Sequence, residues 1–107
     1  MIERHWKGIA KTTEADKYIQ HLVSDTFPKL SKMNGFIKAS ILQRKKDTGV
    51  EFLIITVWES YKAIMQFTGE QVDIAVVPGI VQEMMISFDN HVFHYEVMMS
   101  TDHNILK

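Results

Sequence analysis

The chain has 107 residues, 46% of them hydrophobic, and a formal net charge of -1 from twelve basic and thirteen acidic side chains. This length predicts a single domain over residues 1–107, and the balanced charge argues against nucleic acid or an anionic membrane as a partner. The lack of cysteine excludes disulfides, thiolate metal sites and a cysteine nucleophile, which favours a cytoplasmic location. No run of about eighteen apolar residues is present, so no membrane anchor is expected.

A strand and a long amphipathic helix are predicted first. Period-2 alternation over residues 5–11 indicates the strand. Thr13 and an acid three residues later resemble a capping box, so a helix should begin there. Apolar residues then recur at spacings of three and four as far as Leu30, and Pro28 should kink or loosen the helix before it ends near residues 34–35.

An antiparallel hairpin is predicted next. Residues 36–45 and 51–58 flank the turn-forming sequence KDTG and form its two arms. In the second arm, the run FLIITVW from Phe52 to Trp58 contains only one residue that is not apolar, Thr56. Because side chains alternate between the faces of a strand, both faces of this arm must be apolar.

Two short helical segments and a last strand are predicted in the remainder. Ser60 can cap a short helix that ends at Gly69. A proline and a glycine separate the apolar run 74–77 from a helical stripe within residues 80–85. The sequence HVFHYEVMM, residues 91–99, has the aromatic and β-branched enrichment of a strand. Beyond it we expect a C-terminal tail over 100–107 that can fray or swap.

This order predicts an α+β protein with the ferredoxin-like βαββαβ arrangement, in which helices cover one face of an antiparallel sheet. The other face of the sheet is also apolar, both in the second hairpin arm and in the last strand. An uncovered face of this kind exceeds what soluble monomers usually expose. We therefore predict a homodimer through the sheet face, with sheet packed on sheet about a two-fold axis.

Four short motifs resemble the antibiotic biosynthesis monooxygenase family. They are VWES at 57–60, GF at 35–36, AV at 75–76 and HYEV at 94–97, and the likeness covers about residues 3–99, the expected core. The resemblance implies the dimeric α/β-barrel fold and an apolar cavity between the sheet and the helices of each subunit. Members of the family oxidise quinols, anthrones and related polyketide aromatics with dioxygen and without a flavin or metal, and others degrade haem.

The resemblance implies a cofactor-independent monooxygenase that acts on a small aromatic molecule. Such an enzyme must favour deprotonation of an electron-rich substrate and exclude bulk water. Trp58 matches the family's tryptophan at that strand end and is a candidate for orienting the substrate, with core packing as its alternative role. His94 is the leading candidate for a catalytic base, ahead of His5, because the pKa of imidazole lies near neutrality.

Five further residues are candidates for the substrate pocket: Trp6, Phe67, Asp73, Met84 and Tyr95. Asp73 is a loop acid near the expected pocket mouth. The methionines either line an adaptable pocket or fill an irregular core.

Haem degradation and metal binding are not expected. Haem-degrading members of the family carry an asparagine on the first strand, a tryptophan in the helix after the third strand and an iron-binding histidine further along. Here the first asparagine is Asn34, and Phe67 and Val77 fall near the other two places. His91 and His94 would point to opposite faces of one strand, so they cannot share a metal.

A non-catalytic alternative uses the same fold as a small-molecule binding or stress-response dimer, since one fold hosts many functions. Oxygen-dependent turnover that falls when His94 or Trp58 is changed would distinguish the enzyme from the binder.

Overall fold

The computed structural model describes residues 1–102, which form an antiparallel sheet with helices on one face. In chain order the elements are β1 (Ile2–Ala10), a 3-10 turn (Thr12–Glu14), α1 (Ala15–His21), a π-helical segment (Leu22–Thr26), α2 (Phe27–Ser31), β2 (Phe36–Lys45), β3 (Val50–Trp58), α3 (Tyr61–Thr68), α4 (Gly79–Met84), β4 (Met85–Phe88) and β5 (Phe93–Glu96). The α+β, ferredoxin-like prediction is confirmed. Within the described residues, no helix combines the length and apolarity that a membrane crossing requires. The predicted tail is described only as far as Asp102, and the rest of it lies outside the described residues.

The sheet has the strand order β2-β3-β1-β4, and β5 also pairs with β1. β4 pairs with one end of β1, at residues 8–10, and β5 with the other end, at residues 2–5. The two strands are therefore separate pieces of the fourth strand of the ferredoxin-like sheet, interrupted at residues 89–92.

The last strand predicted over 91–99 is present but shorter, and the strand before it, β4, was not predicted. β5 spans only four residues, and Met85, which the helical stripe included, is the first residue of β4. The sequence MISF of β4 is too short for a periodic signal and directly follows a helix, so its apolar residues extend the helical pattern.

The first helical region differs from its prediction at its start and middle. Thr13 lies inside the 3-10 turn, and the residues at the N-cap positions, Lys11 and Glu14, make no side-chain capping bond. The predicted loosening before Pro28 is present as the π-helical segment, which ends at Thr26. A proline lacks the amide that the ordinary helical ladder needs, and a π-helical turn accommodates the irregularity.

The boundaries of α3 follow the sequence signals. The Ser60 hydroxyl accepts a hydrogen bond from the Ala63 amide at 3.1 Å, and Gly69 ends the helix with a φ of 75°. The apolar run 74–77 is not helical, and its first residue, Ile74, forms an isolated bridge with His91. This bridge holds the loop before α4 beside the interruption of the fourth strand.

The two faces of the sheet differ in what covers them. The inner face, towards the helices, carries the even-numbered residues of β1 and β3, and Phe52 and Trp58 there are completely buried. The outer face carries the odd-numbered residues of β1 and β3 and their partners on β2 and β5, and it has no helix over it in the described chain. Several of its apolar side chains are largely exposed, among them Leu42, Phe93 and Tyr95.

Candidate functional site

A cavity of about 240 Å³ lies between the inner face of the sheet and the helical region 15–31. Its volume is just below the ~300–1,000 Å³ typical of ligand pockets, which suits a small molecule. Four aromatic side chains line it: Trp6, Tyr18, Phe27 and Phe67. Most of the remaining lining is aliphatic, and Arg4 and Thr56 supply buried polar groups.

Trp6 forms one wall of the cavity and is held by Gly8 on β1 and by Asp89, which follows β4. Its indole Nε1 donates to the carbonyl oxygen of Asp89 at 2.9 Å. Its ring lies over Gly8, where an added Cβ would come within 2.6 Å of the ring atom Cη2. Gly8 therefore weakens the strand pattern but makes room for this ring.

Arg4 is a buried cation in the cavity wall, with 4% of its surface exposed. Its Nη1 donates to the carbonyl of Val72, and its Nη2 donates to the carbonyl of Ile74 at 3.1 Å. Nη1 also contacts His94 Nε2 at 3.0 Å. Burial lowers the pKa of Arg4 to about 10, against the opposing charge of Asp73, so the guanidinium stays charged at neutral pH.

His94 lies beside Arg4 on the neighbouring strand and does not line the cavity. Its Nδ1 lies 3.2 Å from the Asp73 carboxylate. With the proton on Nδ1, Nε2 is the atom that accepts from Arg4. Burial and the charge of Arg4 lower the pKa of His94, although Asp73 acts in the opposite direction. An Nε2 atom that accepts from Arg4 carries no proton, so the imidazole in this arrangement is neutral.

Trp58 lies behind the cavity and contacts it through Thr56. The Trp58 indole Nε1 donates to the Thr56 hydroxyl at 2.9 Å, and both side chains are buried. The Trp58 ring stacks on Phe67 with centroids 6.4 Å apart and meets Phe36 edge-on at 5.2 Å. Phe67 thus separates Trp58 from part of the cavity.

The five predicted pocket residues occupy different parts of the molecule. Trp6 and Phe67 line the cavity. Asp73 is mostly exposed and reaches the site through its contact with His94. Met84 packs against the core without lining the cavity, whereas Tyr95 lies on the outer face, its ring 5.0 Å from that of His5.

Arg4 and Thr56 belong to the site although the sequence reasoning passed over them. The first strand was predicted to begin at His5, but β1 begins at Ile2, which places Arg4 on the same face as Trp6. The signal that could have identified Arg4 was its charge on a face of β1 whose other residues are apolar. For Thr56 the signal was its position as the single polar residue in the run from Phe52 to Trp58.

Haem fits this cavity poorly. The volume of about 240 Å³ is small for a porphyrin, and no histidine is among the lining residues described. Tyr18 lines the cavity, but burial raises the pKa of its phenol, so the phenolate that ligates iron is disfavoured. Within residues 1–102, no group of three or more His, Asp or Glu side chains is arranged to hold a metal ion.

Solved structures of antibiotic biosynthesis monooxygenase fold match this chain over nearly its whole length, which confirms the fold implied by the sequence motifs. No protein-family model and no curated protein matches the sequence. A proposed antibiotic biosynthesis monooxygenase from Bacillus cereus superposes with a TM-score of 0.66 at 18% identity, covering 96% of this chain and 96% of its own.

Two further similar structures are those of a cofactor-independent oxygenase and of a haem degrader. SnoaB, a cofactor-independent oxygenase from Streptomyces nogalater, has a TM-score of 0.65 at 13% identity, covering 95% of this chain and 97% of its own. The haem degrader MhuD from Mycobacterium tuberculosis has a TM-score of 0.60 at 13% identity, covering 95% and 100%. At such identities the likeness defines the fold, and the chemistry has to be argued from the cavity.

Proposed function

We propose that this protein is a cofactor-independent monooxygenase of a small hydroxylated aromatic molecule, such as a quinol or a polyketide-like phenol. The observation that carries the proposal is the aromatic-lined, largely apolar cavity between the inner sheet face and the helices. Stacking on rings such as Trp6 and Phe67 favours a flat substrate. The likeness to a cofactor-independent oxygenase supports the same assignment.

The reaction needs only the substrate and dioxygen. Loss of a proton from the substrate gives an anion, which transfers one electron to dioxygen. The resulting substrate radical and superoxide combine into a peroxide, whose O–O bond then breaks with loss of water and leaves a carbonyl group. Dioxygen is both the oxidant and the source of the inserted oxygen, and the protein contributes by favouring the anion and excluding bulk water.

His94 is the candidate proton acceptor in this proposal, and Trp58 the candidate for positioning the substrate. His94 is neutral and carries a lone pair on Nε2, as a base requires, but that atom faces Arg4. Trp58 would act on the substrate through the Thr56 hydroxyl and the Phe67 ring.

One observation favours a second candidate function, a binding protein without turnover. No histidine lines the cavity within the described residues, and both ring nitrogens of His94 are occupied, Nε2 by Arg4 at 3.0 Å and Nδ1 by the Asp73 carboxylate at 3.2 Å. A binder needs the cavity and its polar groups but no free base.

We also propose that the working form is a cytoplasmic homodimer. Phe93 and Tyr95 on the outer face are 64% and 56% exposed. A second copy placed face to face would bury the same apolar surface on both subunits. Light scattering at micromolar concentration should give twice the chain mass of 12.4 kDa, and a mass near that of one chain would exclude the dimer.

The oxygenase proposal is tested by oxygen uptake. The purified, metal-free protein is mixed with a panel of quinols and anthrone-like phenols, with heat-denatured protein as the control. Uptake that requires the native protein, with a carbonyl product, is the expected result. No uptake across the panel, together with ligand binding, would leave the binding protein as the function.

Two variants of His94 separate a base from a structural partner of Arg4. His94→Ala can neither accept a proton nor accept a hydrogen bond from Arg4. His94→Gln keeps an acceptor oxygen for Arg4 but cannot take a proton at neutral pH. If His94 is the base, both variants lose oxygen uptake while remaining folded. Retained uptake in His94→Gln would contradict the catalytic role.

A further inference from the structure

We propose that the cavity binds its aromatic ligand through an anionic oxygen, a phenolate or an aromatic carboxylate, held by the Arg4 guanidinium and the Thr56 hydroxyl. The inference rests on the proposed function in one respect, that the cavity is the ligand site. It adds the charge and the polar end of the ligand, which neither the fold nor the family motifs specify.

Arg4 retains unused hydrogen-bonding capacity. A guanidinium has five N–H donors, and three of them point to the carbonyls of Val72 and Ile74 and to His94. The Nε–H and one Nη2–H have no acceptor among the described residues. These two donors can take up an oxygen atom of a ligand in the cavity that Arg4 lines.

Within residues 1–102, no carboxylate pairs directly with the Arg4 charge. All three acceptors of Arg4 are uncharged, and the carboxylate of Asp73 lies on the far side of His94. Two other charged residues line the cavity, Lys29 and Asp25, and they pair with each other at 3.2 Å. A buried cation without a counter-ion is costly, so an anion in the cavity would be strongly favoured over a neutral molecule of the same shape.

Thr56 provides a second donor next to Arg4. The two residues are register partners on β3 and β1, so their side chains are neighbours on the inner face. Because the Thr56 oxygen already accepts the Trp58 indole N–H, its own hydrogen is free to be donated. No acceptor for that hydrogen lies among the described residues, which leaves it available to the same ligand oxygen.

The aromatic part of the ligand follows from the surroundings of this polar end. The Arg4 guanidinium carbon lies 5.7 Å from the centre of the Phe67 ring, and most of the lining beyond it is apolar, the exceptions being Asp25, Thr26 and Lys29. A ligand with one charged oxygen and a flat apolar body matches both regions. A polyanion would leave charge against the apolar walls, and an uncharged hydrocarbon would leave Arg4 without a counter-ion.

In this arrangement His94 and Trp58 also position the two cavity donors, in addition to the roles proposed for them above. Thr56, Arg4 and His94 form one row across β3, β1 and β5. His94 holds one end of the guanidinium, and Trp58 fixes the orientation of the Thr56 hydroxyl. Each of the two residues singled out from the sequence therefore supports one of the two cavity donors.

The test compares two ligands of the same shape, 2-naphthoate and its uncharged amide, 2-naphthamide. Calorimetric titration of the intact protein at pH 7.5, under argon, should show at least about tenfold tighter binding of the carboxylate, the scale of one charge-assisted hydrogen bond. Arg4→Met should abolish that preference. The matched control is Arg44→Met, since Arg44 pairs with Glu51 on the outer face and should leave the preference unchanged.

Arg4 also anchors the loop that carries Val72 and Ile74, so Arg4→Met could fail to fold. The comparison of the two ligands can be made on the wild-type protein alone. A second variant, Thr56→Val, changes the site without removing a contact to that loop. We expect Thr56→Val to reduce the preference about threefold to tenfold. Equal affinity of the wild-type protein for the two ligands, or no binding of either, would overturn the inference.

Oxygen uptake keeps this inference separate from the proposed function. A preference for naphthoate without any oxygen consumption would retain the anion site and remove the oxygenase. Turnover of uncharged anthrones with no preference between the two naphthyl ligands would retain the oxygenase and remove the anion site.

Discussion

The inner and outer faces of β3 are nearly equal in composition but differ in what covers them. Phe52 and Ile54 on the inner face are buried by the helices, whereas their neighbours Leu53 and Ile55 on the outer face are only partly buried. The strand itself therefore does not decide which of its faces is the core. The connections on either side of the hairpin decide it, because both place their helices over the same face.

The sharpest test of this comparison is a pair of truncations at adjacent residues. Phe52→Ala should lower the free energy of unfolding by about 3–5 kcal/mol, because the ring is completely buried and leaves a cavity. Leu53→Ala should cost clearly less in the monomer, since its side chain is already partly exposed. Chemical denaturation at low protein concentration measures both, and equal losses would break the distinction between the faces.

The second test addresses what covers the outer face. Phe93→Asp should weaken self-association at least about a hundredfold, because it places a charge in the proposed interface. Val23→Asp is the matched control, since Val23 is 53% exposed in the first helical region, on the opposite side of the sheet from the outer face. Sedimentation across a range of concentrations should show a monomer for the first variant and the wild-type mass for the second.

A third test compares polar side chains on the two faces. Thr56→Val should cost about 1–3 kcal/mol of unfolding free energy, because it leaves the buried Trp58 N–H without an acceptor. Ser40→Val on β2 should change stability by less than about 0.5 kcal/mol, because Ser40 pairs with Ile55 on the outer face and leaves no donor buried. A larger loss at Ser40 would show that the outer face is packed more tightly than its exposure indicates.

The smallest expected effect is on the titration of His94 on the inner face. Its folded-state pKa is lowered, so the unfolded chain binds the proton more readily. The resulting stability is present above the unfolded pKa and is lost as pH falls through the folded pKa. Asp73→Asn should lower the pKa of His94 further, because it removes the charge that favours the imidazolium. NMR titration of the imidazole follows this shift, and a rise would contradict the assigned Asp73 contact.

The sequence was sufficient for elements with long or well-punctuated patterns. Three elements were predictable from the sequence: the first helical region, the hairpin and α3 with its Ser60 cap. In each of them a regular spacing of apolar residues is bounded by a residue that ends or caps the element. The split of the fourth strand was not, because β4 has four residues and its pairing with β1 is a long-range contact. Local pattern carries no information about which partner a short strand finds.

The candidate site was predictable in part. Trp6 and Phe67 followed from aromatic residues in patterned segments, and both line the cavity. The roles of Arg4 and Thr56 depend on the register of β1 with β3, which one sequence does not specify. Tyr95 shows the same limit. The sequence shows that alternate residues of a strand point to opposite faces, but it does not show which of the two faces meets the helices.

Trp6 borders two spaces at once, the inner cavity and a second cavity of about 250 Å³ on the outer face that Phe93 and Tyr95 also line. A ligand that moves this indole therefore changes the surface on which the proposed partner subunit would sit. Thermodynamic linkage makes such an influence mutual, because the factor by which ligand alters association equals the factor by which association alters ligand affinity. If ligand binding in the proposed dimer displaces Trp6, occupancy and assembly would be coupled, and the apparent affinity for the ligand would then depend on protein concentration.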